Sequence, residues 1–249
     1  MESAEAVPKE RLAELLAGIA ALPEDWPLSG SLRPRVLERL VHHAYGRPVR
    51  HSAETGTGKS TLLFSHLSAH HLVFTKDDRG DGDSLADVRG SPLLAVDHVE
   101  FVVGPTQLTL PSYRFTHPLD VVLIDGAHGF PFSQLDYYFL YPPLEAGGLL
   151  VLDDIHIRAV NDLFRFLRAD AMFALVEVVR TTAFFRRTTA PVFNPLDDGW
   201  WLQRYNLAVL PPLAGLALTE KLKAMIPRGM KERLRTLRRS YGPTERRRR

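Results

Sequence analysis

Cysteine is absent from the 249-residue chain, which excludes a disulfide framework and a thiolate metal site. No apolar run approaches the roughly 20 residues needed to cross a bilayer. The charged N-terminal segment, residues 1–16, lacks the apolar core of a signal peptide. The composition, 45% hydrophobic and 24% charged, is that of an ordinary globular protein with room for one sizeable α/β domain. We therefore expect a cytoplasmic enzyme.

Positive charge is concentrated at the C-terminal end. Residues 220–249 contain 12 Lys and Arg against three Glu, whereas the rest of the chain contains 19 basic and 26 acidic residues. Apolar residues at helical spacing predict a basic helix and tail over residues 213–249, which can contact an anionic membrane surface peripherally and in a salt-sensitive way. A solvated helix with a frayed end is the alternative. The acidic body argues against nucleic acid as a partner.

The hydrophobic periodicity changes near residue 47. Residues 8–22 and 33–45 carry apolar side chains at helical spacing, which predicts two amphipathic helices in an N-terminal region, residues 1–46. Residues 47–212 instead alternate short apolar runs with helical segments. This alternation predicts an α/β domain with an open, mostly parallel sheet and helices on both faces.

The predicted sheet consists of buried parallel strands and an edge hairpin. Two β-rich runs at 174–185 and 200–209, separated by turn residues, predict an antiparallel hairpin at the sheet edge. The runs expected to form parallel strands are HLVF (71–74), VEFVV (99–103), DVVLID (120–125) and LLVLDD (149–154).

The stretch SAETGTGKSTL, residues 52–62, fits two kinds of ligand-binding loop. Gly58-Lys59-Ser60 ends the Walker pattern G-x-x-x-x-G-K-[ST], in which backbone N–H groups and the lysine bind phosphates. Starting from Glu54, the same residues form E-x-G-x-G, a glycine turn between strand and helix where the backbone approaches a ligand closely. The first interpretation predicts an NTPase or kinase, and the second an enzyme that binds S-adenosylmethionine.

Two residues favour the second interpretation. Ala53 occupies the position of the first Walker glycine, and the carboxylate of Glu54 would repel a triphosphate from inside a cradle built for anions. The same carboxylate can instead meet the ammonium or sulfonium group of S-adenosylmethionine. Because VVLID at 121–125 could serve as a Walker B strand, the P-loop alternative stays open at this point.

Acidic residues follow two of the predicted strands. Asp125 ends one strand, Asp153 and Asp154 end another, and His128 follows Asp125 in the loop GAHGF. Ligands of open parallel sheets bind beyond the carboxyl ends of the strands, and carboxylates gathered there repel one another unless a cation or proton intervenes. Carboxylate ligands suit Mg²⁺ first, then Mn²⁺ or Ca²⁺. The alternative is that these aspartates cap the turns that follow the strands.

From about residue 47 to 158 the chain resembles the class I S-adenosylmethionine-dependent methyltransferases, which implies a Rossmann-like fold. The segments that carry the resemblance are, in order, ETGTGKSTL, HLVF, VEFVVGPTQLTLP, LDVVLIDGAH and LEAGGLLVLDD. The D-G-x-H after the fourth strand and the D-D after the fifth are similar to the metal-dependent O-methyltransferase branch, which includes catechol- and sugar-modifying enzymes.

The resemblance implies which residues bind the cofactor. In that family the glycine loop holds the methionine part, the end of the second strand holds the ribose, and the loop after the third strand lies by the adenine. Here HLVF runs into Thr75 and Lys76 before an acidic residue, so the ribose role falls on Asp77. The implied cofactor-binding residues are Glu54, Thr55, Gly56, Gly58, Ser60, Thr61, Asp77, Thr106, Gln107 and Asp125.

The resemblance also implies a mechanism. It places a divalent cation on Asp125, Asp153 and Asp154, and a base, His128, beside the acceptor hydroxyl. A cation on the acceptor oxygen lowers the pKa of the hydroxyl, and neutral His128 can then take its proton. We therefore expect O-methyl transfer to a small molecule such as a sugar, polyketide or catechol. A non-catalytic module of this fold that only binds the cofactor is the alternative from another functional class.

Overall fold

The structure of the chain is a computed structural model that describes residues 7–24, 26–27, 32–76, 84–192 and 203–207. The chain divides into two compact units, residues 1–192 and 193–249. Within the second unit the described residues include a four-residue helix, Arg204–Leu207. The expected tail helix and Asp77 lie outside the described residues, and the expected domain boundaries after residues 46 and 212 stay predictions.

Two N-terminal helices, α1 (Lys9–Ala20) and α2 (Pro34–Ala44), precede the sheet as predicted. Proline at the start of α2 suits the first helical turn, because its missing N–H would have no partner there. Both helices contact α3 (Lys59–Leu67), the helix that follows the first strand. The apolar side chains that α1 and α2 bury are Leu12, Leu15 and Ile19, and Val36, Leu37, Leu40 and Ala44.

Seven strands form one sheet in the order β3-β2-β1-β4-β5-β7-β6. The five strands from β3 to β5 are parallel, and β7 runs antiparallel to both of its neighbours. This arrangement confirms the predicted sheet with its antiparallel edge. The strands are β1 (Val49–Thr55), β2 (Ser68–Thr75), β3 (Val99–Val103), β4 (Leu119–Ile124), β5 (Leu144–Leu152), β6 (Phe173–Val179) and β7 (Thr182–Arg187).

Helices cover both faces of the sheet. Val121 and Leu123 of the central strand β4 belong to the apolar cluster that includes side chains of α1, α2 and α3. Because side chains alternate along a strand, Val122 and Ile124 point to the opposite face, and they are equally buried. This burial on both faces explains why β4 is a nearly continuous apolar run. The remaining helices are α4 (Ser84–Gly90), α5 (Thr106–Thr109), α6 (Phe132–Leu140) and α7 (Arg158–Ala169).

The edge hairpin differs from the prediction in its strands. Both β6 and β7 come from the single β-rich run that was expected to form one strand, and a two-residue turn, Arg180-Thr181, joins them. The run expected as the second strand contains the helix Arg204–Leu207 instead. The turn was not recognised because it contains no glycine, asparagine or proline, although Arg180 adopts a φ of 55° that favours glycine.

The topology places a crevice at the ends of the central strands. The chain returns from β3 past β2 and β1 to form β4 on the other side of β1. In open parallel sheets such a switch of direction opens a ligand crevice beyond the carboxyl ends of the strands. None of the helices in the described parts of the chain has the length and apolarity needed to span a bilayer.

Candidate active site

The glycine loop after β1 is shaped by one glycine above all. Gly56 has a φ of 93°, and a Cβ at this position would lie 2.3 Å from the carbonyl oxygen of Asp125. The N–H of Gly56 donates to the carbonyl of Phe74 at the end of β2 (3.0 Å). Since any side chain at Gly56 would strike the backbone after β4, only glycine fits this close approach. Gly58, with a φ of 179°, has ordinary extended backbone.

A buried hydrogen-bond network supports the loop from behind. The Thr61 hydroxyl donates to Glu54 Oε1 and accepts the N–H of Gly58 (3.1 Å). His71 on the adjacent strand β2 donates from Nε2 to the same Glu54 oxygen (3.1 Å). The side chains of Glu54 and His71 are 1% and 0% exposed. Glu54 therefore fixes the start of α3 and the glycine loop together.

The location of Glu54 differs from the expectation of direct cofactor contact. Its side chain does not line the cavity described below, and its second oxygen, Oε2, is buried without a hydrogen-bond partner. Thr55 and Thr61 likewise lie behind the cavity wall. Lys59, the residue a Walker loop would use on phosphate, is 4% exposed and donates from Nζ to the carbonyl of Pro23 (2.8 Å).

A cavity of about 810 Å³ runs along the carboxyl ends of the strands. One end is formed by Thr75, the last residue of β2, by Lys76 and by the start of α5, and the other end by Arg180, Thr181 and Thr182 of the β6–β7 hairpin. Its volume suits a cofactor together with a small substrate. The predicted site residues that line it are Gly56, Gly58, Ser60, Thr106, Gln107, Asp125, His128, Asp153 and Asp154.

Asp125, His128 and Asp154 converge within the cavity. His128 Nε2 lies 3.2 Å from Asp154 Oδ2 and 3.6 Å from Asp125 Oδ1, and one ligand atom from each residue lies within 4.8 Å of the others. Asp154 has a φ of 54°, and the N–H of Ile155 after it donates to the carbonyl of Thr181 (2.9 Å). The left-handed backbone turns Asp154 away from the direction that Asp153 takes.

Asp153, predicted as a metal ligand, is held by the edge hairpin. Its Oδ1 accepts hydrogen bonds from the hydroxyls of Thr182 (2.6 Å) and Thr181 (3.4 Å). The structure thus groups His128, rather than Asp153, with the other two carboxylates. Asp153 still lines the cavity, and its role in metal binding stays a prediction.

The electrostatics of the cluster follow from burial and from the proximity of the carboxylates. Burial raises the pKa of Asp125 to about 7, an effect that His128 partly opposes and that Asp153 and Asp154 reinforce. The interaction with Asp125 raises the pKa of His128 above its usual value, although burial acts in the opposite direction. Burial also raises the pKa of Asp153, while the hydrogen bond from Thr182 lowers it. A cation would relieve this repulsion among the carboxylates.

Two features of the site were missed in the sequence. Asp136 on α6 is fully buried behind the cavity, and a Cβ on Gly126 would lie 3.1 Å from its Oδ2. Nothing in its local pattern separates it from an exposed helical aspartate. The hairpin residues Arg180, Thr181 and Thr182 reach the cavity because β7 pairs with β5. That pairing cannot be predicted from the spacing of residues within either strand.

Comparison with known proteins identifies the central segment. No curated protein shows significant sequence similarity to the chain. Residues 53–155, however, match the family model described as a methyltransferase domain. This segment is a methyltransferase domain. The match contains the glycine loop, β2 to β5, and all three residues of the Asp125–His128–Asp154 cluster. It confirms the prediction of a class I S-adenosylmethionine-dependent methyltransferase.

Solved structures share the fold of this methyltransferase domain. The O-methyltransferase TomG from Streptomyces achromogenes, described as involved in tomaymycin synthesis and in complex with SAM, is 17% identical, with a TM-score of 0.53 over 70% of this chain and 90% of its own. An O-methyltransferase from Bacillus cereus in complex with SAH is 16% identical (TM-score 0.50, 73% and 93% covered). The SAH-bound methyltransferase PaMTH1 from Podospora anserina is 17% identical (TM-score 0.51, 75% and 91% covered). At these identities the likeness establishes a common fold.

Proposed function

We propose that the chain is an S-adenosylmethionine-dependent, divalent-metal-assisted O-methyltransferase that acts on a hydroxyl group of a small molecule. One observation carries the proposal. A single cavity joins the glycine loop of a methyltransferase domain to the Asp125–His128–Asp154 cluster on the adjacent strand ends. β1 and β4 are neighbouring strands, which lie roughly 5 Å apart. A methyl donor on the loop after β1 would therefore lie next to an acceptor at the cluster after β4.

The cofactor fits the β1 to β3 side of the cavity. Gly56 and Gly58 line this side of the cavity with backbone alone, and Ser60 lines it at the start of α3. Thr106 and Gln107 lie farther along the same side, where the adenine would bind. Solved structures of the same fold contain SAM or SAH. Glu54 contributes by holding the loop through Thr61.

The cluster suits a divalent cation. The carboxylates of Asp125 and Asp154 offer ligand oxygens close enough to share one ion, and the imidazole of His128 lies beside both of them, where it stays available as a base. Carboxylate ligands favour Mg²⁺ first, and then Mn²⁺ or Ca²⁺. A bound cation would hold the acceptor oxygen and lower the pKa of its hydroxyl.

Within this cluster His128 is proposed as the proton acceptor. Asp125 and Asp154 orient its ring and favour the imidazolium form, which strengthens the imidazole as a base for a hydroxyl proton. The acceptor oxygen must also lie in line with the sulfonium methyl group, and the protein supplies that alignment by holding donor and acceptor in one cavity.

Calorimetry with three ligands tests the cofactor part of the proposal. The protein should bind S-adenosylmethionine and S-adenosylhomocysteine, and it should not bind Mg-ATP specifically. Tight Mg-ATP binding without binding of either adenosyl compound would support a P-loop protein and reject the proposal. Cofactor binding without methyl transfer to any hydroxyl compound would support a non-catalytic module.

Metal binding and catalysis need a second experiment. Electron paramagnetic resonance of Mn²⁺ should show binding to the protein, and Asp154→Asn should weaken it at least tenfold. Asp162→Asn is the matched control, because Asp162 pairs with Arg158 on the surface of α7, outside the cavity. Excess chelator should abolish methyl transfer and leave S-adenosylhomocysteine binding intact. As a test of the proton acceptor, His128→Ala should lower turnover by roughly 10²–10⁴-fold. Full activity in chelator would reject the metal-assisted mechanism.

A further inference from the structure

An arginine stands at the far end of the cavity in an unusual backbone conformation. Arg180 is the first residue of the two-residue turn between β6 and β7, and its φ is 55°. Glycine is favoured at such a position, because other residues adopt positive φ only at a cost. Of the described residues other than glycine, two have a positive φ, and both, Asp154 and Arg180, line this cavity. Residues held in such conformations cluster at functional sites.

The turn that carries Arg180 is tied to the acidic cluster. The carbonyl of Thr181 accepts the N–H of Ile155, directly after Asp154 (2.9 Å). The hydroxyls of Thr181 and Thr182 donate to Asp153. Through these contacts the position of the Arg180 backbone is fixed relative to the strand end where the acceptor hydroxyl is proposed to react.

Arg180 also differs from the neighbouring arginines in its contacts. Arg186 donates to the carbonyls of Gly147 and His43, and Arg187 to that of Thr188. Arg180 makes no hydrogen bond or ion pair to any residue that the structure describes, although it lines the cavity. Arg180 is exposed where it borders the cavity, so its side chain can reach a ligand bound there.

The strand order determines which ligand can reach this guanidinium. β1, which carries the cofactor loop, lies three strand spacings from β7, or roughly 14 Å, while β5 with Asp154 lies one spacing away, roughly 5 Å. On the proposed function the residues that would hold the cofactor, from Gly56 to Thr106 and Gln107, lie on the β1 to β3 side, away from β7. The acceptor, held at the ends of β4 and β5, is thus the ligand nearest to Arg180.

We propose that Arg180 binds an oxyanion of the acceptor, a carboxylate or a phosphate, about one strand spacing from the hydroxyl that is methylated. The inference rests on the proposed function and adds the substrate class: a hydroxyl compound that also carries a negative charge. The planar fork of a guanidinium matches both kinds of oxyanion with two parallel hydrogen bonds. The carboxylates of the acidic cluster would repel an anion that lacked a cationic partner, and Arg180 is the cavity-lining cation on the hairpin that pairs with β5.

A pair of probes that differ only in charge tests the inference. We would measure binding of 3,4-dihydroxybenzoate and of its neutral analogue 3,4-dihydroxybenzamide by calorimetry, using protein saturated with S-adenosylhomocysteine and Mg²⁺. The wild-type protein should bind the benzoate roughly 10–100-fold more tightly than the amide, the range expected for hydrogen bonds between charged groups. The preference should weaken as salt is raised.

Variants of Arg180 separate binding from folding. Arg180→Gln should bind both probes equally, and Arg180→Lys should retain part of the preference. Arg180→Gly removes the side chain and relieves the positive φ, so it should lose the preference without any decrease in Tm. Arg158→Gln, on the surface of α7 outside the cavity, is the matched control and should keep the full preference.

Three outcomes would overturn the inference: no preference for the benzoate, a preference that survives Arg180→Gln, or binding of neither probe by protein that does bind S-adenosylhomocysteine. Failure of the proposed function has a different signature: S-adenosylhomocysteine does not bind, or it binds and no hydroxyl compound is methylated, whatever preference the two probes show.

Discussion

Replacing Asp136 with Asn should make the protein more stable at pH 8 and leave its stability nearly unchanged below pH 4. Asp136 is 0% exposed, and neither of its carboxylate oxygens has a well-formed hydrogen bond. Burial raises its pKa from 3.8 to about 6, although the nearby hydroxyls of Thr106 and Thr55 lower it in part. The carboxylate is therefore charged at pH 8 in surroundings that disfavour charge.

The sign and size of the effect follow from proton linkage. Between pH 4 and pH 6 the folded protein keeps a proton on Asp136 that the unfolded chain has released, so the free energy of unfolding falls as the pH rises through this window. A pKa difference of about two units corresponds to about 3 kcal/mol of stability lost at pH 8. Asparagine has nearly the same shape and does not titrate, so Asp136→Asn should recover up to that amount.

Urea unfolding followed by circular dichroism from pH 3.5 to pH 8 measures the difference directly. The gain in stability of Asp136→Asn over the wild type should grow between pH 4 and pH 6 and then remain constant. Asp162→Asn, which alters an exposed and ion-paired aspartate, should show no such step. Parallel curves for wild type and Asp136→Asn, or a less stable Asn variant at pH 8, would refute the reasoning.

Two further changes probe the glycine loop. Gly56→Ala would place a Cβ 2.3 Å from the Asp125 carbonyl, so we expect at least a hundredfold loss of S-adenosylhomocysteine affinity by calorimetry, and an unchanged Kd would show that the loop does not need this glycine. His71→Phe leaves buried Glu54 without its nitrogen donor and should lower the free energy of unfolding in urea by about 3 kcal/mol. His71→Gln is the milder control. Equal stability of His71→Phe and the wild type would contradict the role of the network in supporting the loop.

Local patterns were sufficient to predict the sheet and most of the cavity wall. Apolar runs that end in acids predicted β4 and β5 because a parallel strand covered on both faces must be apolar, and its carboxyl end opens to the crevice. The glycine loop was recognised because a strand-to-helix turn with close backbone approach requires glycine, and Gly56 meets that requirement. In each case the constraint lies within a few consecutive residues.

The missing parts depend on contacts between residues distant in sequence. Asp153 and Asp154 are adjacent in the chain, yet the hydroxyl of Thr182 holds the first, and a backbone bond to Thr181 fixes the residue after the second. No spacing rule could reveal that His128 rather than Asp153 would lie with Asp154. The isolated turn at Arg180 was hidden for the same reason, because pairing with β5 rather than local preference stabilises β7.

The ambiguity of the loop is resolved by where its charged side chains point. A phosphate loop needs its lysine directed at the ligand and has no place for a carboxylate beside it. Here the Lys59 ammonium is bound to the carbonyl of Pro23, and the Glu54 carboxylate turns inward to Thr61 and His71. At the cavity the loop therefore offers a ligand its glycine backbone and the hydroxyl groups of Thr57 and Ser60, while the Lys59 ammonium is engaged by a backbone carbonyl. Such a surface suits an amino acid group with its own ammonium and carboxylate better than it suits a triphosphate.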